Sequence, residues 1–172
     1  MVKSRLQGSR ARILLTVLTI AVMVMIFCFS TEPAEKSDET SGVLARQVIG
    51  MLYPEYEFYP ETQRLELYDN IQTAVRKGAH FTEFAALGLL LRLCLESWFG
   101  KRTWLLPASW AAGTLYACTD EIHQMQIDGR TGQWTDVILD STGVLAGVLI
   151  AVLALFLIRR KHTRKETEKA CP

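Results

Sequence analysis

The sequence predicts an all-α integral membrane protein, a four-helix bundle with short interfacial helices in an outer loop. Three observations predict it. The chain is 172 residues long and 49% hydrophobic, and its apolar residues are gathered into blocks long enough to cross a bilayer. Basic and acidic residues are segregated between the segments that join those blocks. Finally, two clusters of ionisable residues sit at the edges of otherwise apolar helices, where such groups are costly unless they pair, bind an ion or line a wet cavity.

Ile13 to Phe29 carries no charge and approaches the roughly 20 residues that span a hydrocarbon core at 1.5 Å rise per residue. A basic start before an apolar run also marks a signal peptide. This run exceeds the usual h-region of about 7 to 15 residues and no small-x-small cleavage site follows. Phe27 before Cys28 does not suit a lipoprotein signal either. The segment therefore reads as an anchoring first span.

The segment from Ser30 to Val75 is rich in Glu and Asp. It opens with TEPAEKSDETSG, which reads as a flexible polar linker. Apolar residues then return at helical spacing as Val43, Leu44, Val48, Met51 and Leu52, and again as Leu65, Tyr68, Ile71 and Val75. Between them lies YPEYEFYP. Two short amphipathic helices are expected, lying on the membrane with Tyr53, Tyr56, Phe58 and Tyr59 at headgroup level, or packed as a lid over the bundle.

Gly78 to Leu95, Thr103 to Thr119 and Val137 to Ile158 supply three further spans. Polar groups within them fall near their ends, and Arg92 is expected to snorkel toward the nearer interface. Lys3, Arg5, Arg10 and Arg12 precede the first span, Lys101 and Arg102 join the second to the third, and Arg159, Arg160, Lys161, Arg164 and Lys165 follow the fourth. Basic segments favour the cytoplasm, so both termini are expected inside, and the acidic loop and the Gln124 to Thr135 connection outside. The expected organisation is 1–30 basic start and first span, 31–75 outer loop, 76–158 core of three spans, and 159–172 basic tail.

The net charge of +1 is uninformative about partners, and no repeat or nucleic-acid motif occurs. Cys28, Cys94, Cys118 and Cys171 lack CxxC spacing and read as apolar residues, so neither a disulfide framework nor a thiolate metal site is expected.

The chemistry-bearing residues fall on helical stripes. His80 and Glu83 share one face, with Arg76 and Lys77 one turn away. Ser109, Gly113, Tyr116, Asp120 and His123 follow the same period, with Glu121 and Gln124 alongside. Asp136, Asp140, Gly143 and Gly147 fall at spacings of four, three and four. Gly143 and Gly147 form a GxxxG pair, which lets two membrane helices approach closely and turns both carboxylates toward the bundle interior. Asp128-Gly129 favours a turn, and Thr135 is expected to cap the last helix with Asp136 in its first turn. Asp136 thus has a purely helix-start reading beside a functional one. Asp140 lies a turn deeper and must be either neutral or paired, with His80 or Arg130 as the candidate partner.

Three readings of this cluster stay open. His80, Glu83, Asp120, Glu121 and His123 are suitable imidazole and oxygen ligands for a divalent metal such as Zn, Mn or Fe. Alternatively, His80, Glu83, Asp120, Glu121 and Asp140 do metal-free acid and base work, while Arg76, Lys77 and Arg130, with Gln124 and Asp136, hold a phosphate-bearing substrate. In the third, the groups only fix helix register through buried pairs.

RKGAHFTEFAALG, LYACTDEIHQ and GRTGQWTDVILDSTGVLAG closely resemble the motifs of the VanZ-like family, which read roughly Arg-Lys-x-x-His-Phe-x-Glu, Asp-Glu-x-x-Gln and Gly-Arg-x-x-x-x-Asp-x-x-x-Asp-x-x-Gly. The three blocks stand in the family's order between about Ile71 and Leu157. The matched positions are Arg76, Lys77, His80, Glu83, Asp120, Glu121, Gln124, Arg130, Asp136 and Asp140. His123 and the acidic loop lie outside the motifs. The family takes its name from a small membrane protein that raises resistance to the lipoglycopeptide teicoplanin. The resemblance thus implies a role in the cell envelope without supplying a reaction. The expected partners are membrane lipids or a lipid-linked envelope precursor.

Overall fold

The computed structural model describes residues 8–130 and 132–170. Lys3, Arg5, Thr131 and Cys171 lie outside the described residues, as do the side chains of Arg164 and Lys165. Five α-helices follow one another: α1 Ser9–Ser30, α2 Ala34–Leu52, α3 Glu61–Phe99, α4 Leu105–Gln124 and α5 Trp134–Ala170. A single 3-10 turn, Tyr56–Phe58, separates α2 from α3, and no strand occurs among the described residues.

Three of these helices, α1, α3 and α5, are long and apolar enough to cross a membrane. The helix α4, expected as a fourth span, is not among the helices that meet this measure of length and apolarity. Its 20 residues are interrupted by Ser109, Thr114, Tyr116, Thr119 and Asp120, which dilute its apolar character.

Two further expectations are corrected. TEPAEKSDETSG is not a flexible linker, because α2 begins at Ala34 directly after Pro33. Pro33 presets the backbone for helix entry, Glu35 sits in the first turn, and Lys36 pairs with Glu32 at 2.7 Å. Ser41, Gly42, Ala45 and Ile49 form the buried stripe of α2. The second outer-loop helix is not a separate element either. It runs unbroken through the expected boundary at residue 76 into the second span, giving a 39-residue α3. No proline interrupts the stretch from Glu61 to Phe99, so the helix continues through it. Gly100, at φ 70°, ends it.

Contacts along the helices fix their directions. On α3 and α5, Lys77 meets Asp136, Phe81 lies against Gly143 and Glu96 meets Arg159, so the two run parallel. Arg12 reaches the carbonyl of Ser97 at 2.9 Å, so α1 runs antiparallel to α3. Tyr116 donates to the carbonyl of Met23 at 2.6 Å and Ser30 meets Asp120, so α4 runs parallel to α1. The buried core between them is Ile26, Phe84, Leu87, Ala117, Val144 and Val148.

The contact between α3 and α5 is made by backbone. A Cβ on Gly147 would strike the carbonyl of Ala85, one on Gly88 the carbonyl of Val144, and one on Gly143 would stand 2.6 Å from the carbonyl oxygen of Phe81. The expected GxxxG approach is therefore present, with α3 as the partner helix and Gly88 reciprocating from the other side.

The two ends of the bundle differ. One, here the basic end, gathers Arg12, Lys101, Arg102, Arg159 and Arg160 around the start of α1, the end of α3 and the start of α4. Arg92 belongs to it but does not snorkel. It is only 6% exposed and pairs with Glu96 at 2.7 Å, while Arg159 of α5 meets the other oxygen of the same carboxylate. One acid between two guanidiniums offsets the cost of desolvating all three better than a lone buried charge would.

Two outcomes follow. Gly147→Ala forces the α3 and α5 backbones apart and should cost about 1–3 kcal/mol, read as a lowered unfolding temperature in detergent, whereas Ile150→Ala at a 54% exposed position should not. Glu96→Gln leaves two arginines uncompensated and should cost about 3–5 kcal/mol, toward the low end because Arg159 is 37% exposed.

Candidate functional site

At the opposite, polar end, α1 and α4 finish, α5 begins and α3 passes through. A cavity of about 350 Å³ opens there. Its cationic lining is Arg76, Lys77 and Arg130, its acidic lining Glu121, Asp136 and Asp140, and His80 and Gln124 complete the polar set. Eight of the ten residues proposed from sequence as catalytic or substrate-binding thus face one space.

The rim is built from ion pairs. Lys77 of α3 and Asp136 of α5 are 3.0 Å apart, each partly exposed, and Arg76 meets Asp38 of α2 at 2.8 Å. Gln72 also donates to the carbonyl of Asp38, at 2.9 Å, so α2 is tied over this end of α3. Arg130 donates to the carbonyl of Phe29 at 3.4 Å and has no carboxylate salt bridge among the described residues. Burial, and next the neighbouring Arg76, lowers its pKa from the usual guanidinium range.

Turn chemistry brings Arg130 here. Gly129 has φ 77°, a left-handed conformation that glycine adopts without the Cβ clash, and its carbonyl neighbour Asp128 accepts from the backbone of Ala34 at 3.4 Å. The helix α5 starts at Trp134, one residue before the expected cap. Thr135 is therefore inside the first turn, and Asp136 keeps its expected first-turn place.

The floor is more deeply buried. Asp120, 4% exposed, lies behind the lining and is not part of it, Asp140 is 2% exposed, and one ligand atom each from His80, Asp120 and Asp140 lie within 4.8 Å of one another. Asp120 is oriented through Oδ2, which accepts from Ser30 Oγ at 2.8 Å and from Gln124 Nε2 at 2.7 Å. Its Oδ1 has no hydrogen-bond partner, nor do Asp140 Oδ1 and His80 Nδ1. The partner expected for Asp140, a hydrogen bond from His80 or Arg130, is not formed.

Glu121 lines the cavity but one of its oxygens is engaged, and Glu83 and His123 are placed apart. Glu121 Oε1 accepts the backbone N–H of Gln133 at 2.6 Å, an interaction that holds the α4–α5 connection. Glu83 is half-buried one turn below His80 and does not line the cavity. His123 stacks on Phe27, with ring centroids 4.6 Å apart, also away from the cavity lining. Ser30 was not foreseen: a serine ending an apolar run carries no sequence signal, and only the folded contact with Asp120 reveals its role.

Mixed cations above and acids below suit a ligand with a negative group near the rim and a cation or proton donor beneath. The rim pair has little structural worth. A half-exposed pair typically contributes about 0–1 kcal/mol, so Lys77→Ala and Asp136→Ala should each leave the unfolding temperature close to that of the parent. A large drop for either would make the pair a structural strut.

The family model described as VanZ/LLP1 matches residues 15–157. That span takes in α1 and α2 as well as the motif-bearing helices. No curated protein and no solved structure matches the chain.

Proposed function

The chain is a membrane protein of the VanZ/LLP1 family, and from that premise we propose that it crosses the membrane several times and holds the anionic headgroup of an amphiphilic envelope molecule in the polar-end cavity. The cavity then faces the outer leaflet. Arg10, Arg12, Lys101, Arg102, Arg159, Arg160 and Lys161 belong to the other end, and such segments are retained in the cytoplasm.

Helix length supports the same placement. From Lys77 to Trp98 an ideal helix rises roughly 30 Å, the thickness of the hydrocarbon core. Trp98 and Trp104, about half exposed, mark one interface, and Phe58 and Trp134, more than 80% exposed, suit the other. His80 and Asp140 then lie one turn below the headgroups.

The observation that carries the reading is the guanidinium of Arg130, without a carboxylate partner among the described residues, beside Lys77 and Arg76 at the mouth of a 350 Å³ cavity. Guanidinium and ammonium groups match phosphate and carboxylate in geometry and charge. A lipid-linked precursor or a lipidated glycopeptide brings such an anion together with a chain that stays in the bilayer. Binding or modifying that molecule is how the protein would contribute to teicoplanin-type resistance, the role the family's name implies.

A purely structural role for the cluster is disfavoured by its unpaired floor. Buried polar atoms kept for packing are generally partnered. Arg92 and Glu96, also among the residues with buried atoms lacking hydrogen bonds, are at least paired as ions with each other and Arg159, whereas His80 Nδ1, Asp120 Oδ1 and Asp140 Oδ1 have neither kind of partner among the described residues.

Dodecyl phosphate, a single-chain anionic amphiphile, should raise the unfolding temperature of the detergent-purified chain, while the neutral dodecyl maltoside should not. Arg130→Ala should weaken that binding roughly 10- to 100-fold, the worth of a charge-assisted hydrogen bond, at unchanged protein abundance. Equal binding of both amphiphiles, or of phosphate by the variant, would refute the headgroup reading. An enzyme further requires that His80→Ala, Glu83→Ala, Asp120→Ala and Asp140→Ala abolish resistance without lowering the amount of folded protein.

A further inference from the structure

The floor of the cavity has a chemistry of its own. His80 comes from α3, Asp120 from α4 and Asp140 from α5, so three helices converge on one point. Two of the three side chains are more than nine-tenths buried, each of the three carries a buried atom without a hydrogen-bond partner, and one ligand atom of each lies within 4.8 Å of the other two. Two carboxyls this close at membrane depth cannot both stay ionised without a positive charge between them, and no cation among the described residues is paired with either. Lys77 is engaged by Asp136 at the rim, Arg76 by Asp38, and Arg130 reaches toward Phe29.

We propose that His80, Asp120 and Asp140 bind one divalent metal ion. Oxygen and imidazole ligands stand about 2.0–2.2 Å from such an ion, and ligand atoms already within 4.8 Å of one another close on it by small side-chain rotations. The double positive charge cancels both carboxylates, removing the penalty for burying them. One imidazole and two carboxylates suit Mn²⁺ or Zn²⁺ more than a thiolate-seeking metal.

Outer-shell hydrogen bonds of the kind that orient metal ligands are in place: Ser30 and Gln124 both donate to Oδ2 of Asp120 and leave Oδ1 without a hydrogen-bond partner. This differs from the ligand set expected from sequence. Asp140 replaces Glu83, Glu121 and His123, because Glu121 is engaged by Gln133 and His123 is stacked on Phe27.

Three protein ligands leave coordination positions open toward the cavity, as in metal sites that take up a substrate oxygen. Whether a headgroup phosphate fills one rests on the proposed function; the metal site itself rests on the three side chains alone.

Mn²⁺ titrated into the detergent-purified, chelator-stripped full chain, followed by electron paramagnetic resonance and elemental analysis, should reach one ion per chain and raise the unfolding temperature. Asp120→Asn and Asp140→Asn, neutral and equal in size, should lose the ion, and metal-free Asp140→Asn should be more stable than the metal-free parent because the facing charge is gone. Ser30→Ala, one shell out, should weaken the affinity about 10- to 100-fold and keeps the test decisive should a ligand variant not fold. No stoichiometric Mn²⁺ or Zn²⁺ on the parent, or full retention by the Asn variants, would overturn the site. Loss of dodecyl phosphate binding with metal binding intact would instead count only against the headgroup reading.

Discussion

Everything at the polar end depends on how closely α3 and α5 approach. Where two helices touch through side chains, their register can adjust by small rotations. Here the glycines put backbone against backbone, Gly143 against Phe81, Gly147 against Ala85 and Gly88 against Val144, and backbone atoms do not rearrange. Because the helices run parallel, the same register that seats Gly143 sets Asp136 opposite Lys77 and Asp140 beside His80, one turn below. A shift by a single residue would rotate Asp140 by about 100° out of the cluster. The polar site is therefore a consequence of apolar packing deeper in the bundle.

The same constraint explains why much of the architecture can be read from the chain. Periodicity alone carries Asp136, Asp140, Gly143 and Gly147 on one stripe, and once that stripe must face another helix, the acids must face inward. Local signals were equally plain at Asp128-Gly129, where a left-handed glycine is needed. What periodicity does not carry is length and partnership. The amphipathic stripe ending at Val75 and the span beginning at Gly78 read as two helices because their composition changes, whereas backbone hydrogen bonding is indifferent to that change and continues through it. Likewise TEPAEKSDETSG is polar enough to suggest disorder, but Ser41, Gly42, Ala45 and Ile49 gave it one face to lay on α3. Composition averages over faces; packing selects one.

Partners across helices were the least legible. Arg92 read as a snorkelling residue because a lone arginine in an apolar run has few alternatives, and Glu96 one turn on was not weighed against Arg159 some sixty residues away. Ser30 was invisible for the same reason: its role is defined by Asp120, on a helix that only the fold brings beside it. Pairwise chemistry between distant segments needs the register, and the register comes from the glycine contact rather than from the charged residues themselves.

The two ends of the bundle bury similar groups and resolve them in opposite ways. At the basic end one carboxylate is shared by two guanidiniums, Arg92 and Arg159, so the charges are answered within the chain and nothing there asks for a ligand. At the polar end the cations are drawn off to the rim, Lys77 to Asp136 and Arg76 to Asp38, which leaves Asp120 and Asp140 facing each other without a positive group between them. Had stability alone shaped this end, a lysine or an amide in place of one aspartate would satisfy it at little cost, as the other end demonstrates. A buried acidic pair held in register by rigid backbone, with Oδ2 of Asp120 already hydrogen-bonded, is instead the arrangement expected where the positive charge arrives from outside the chain.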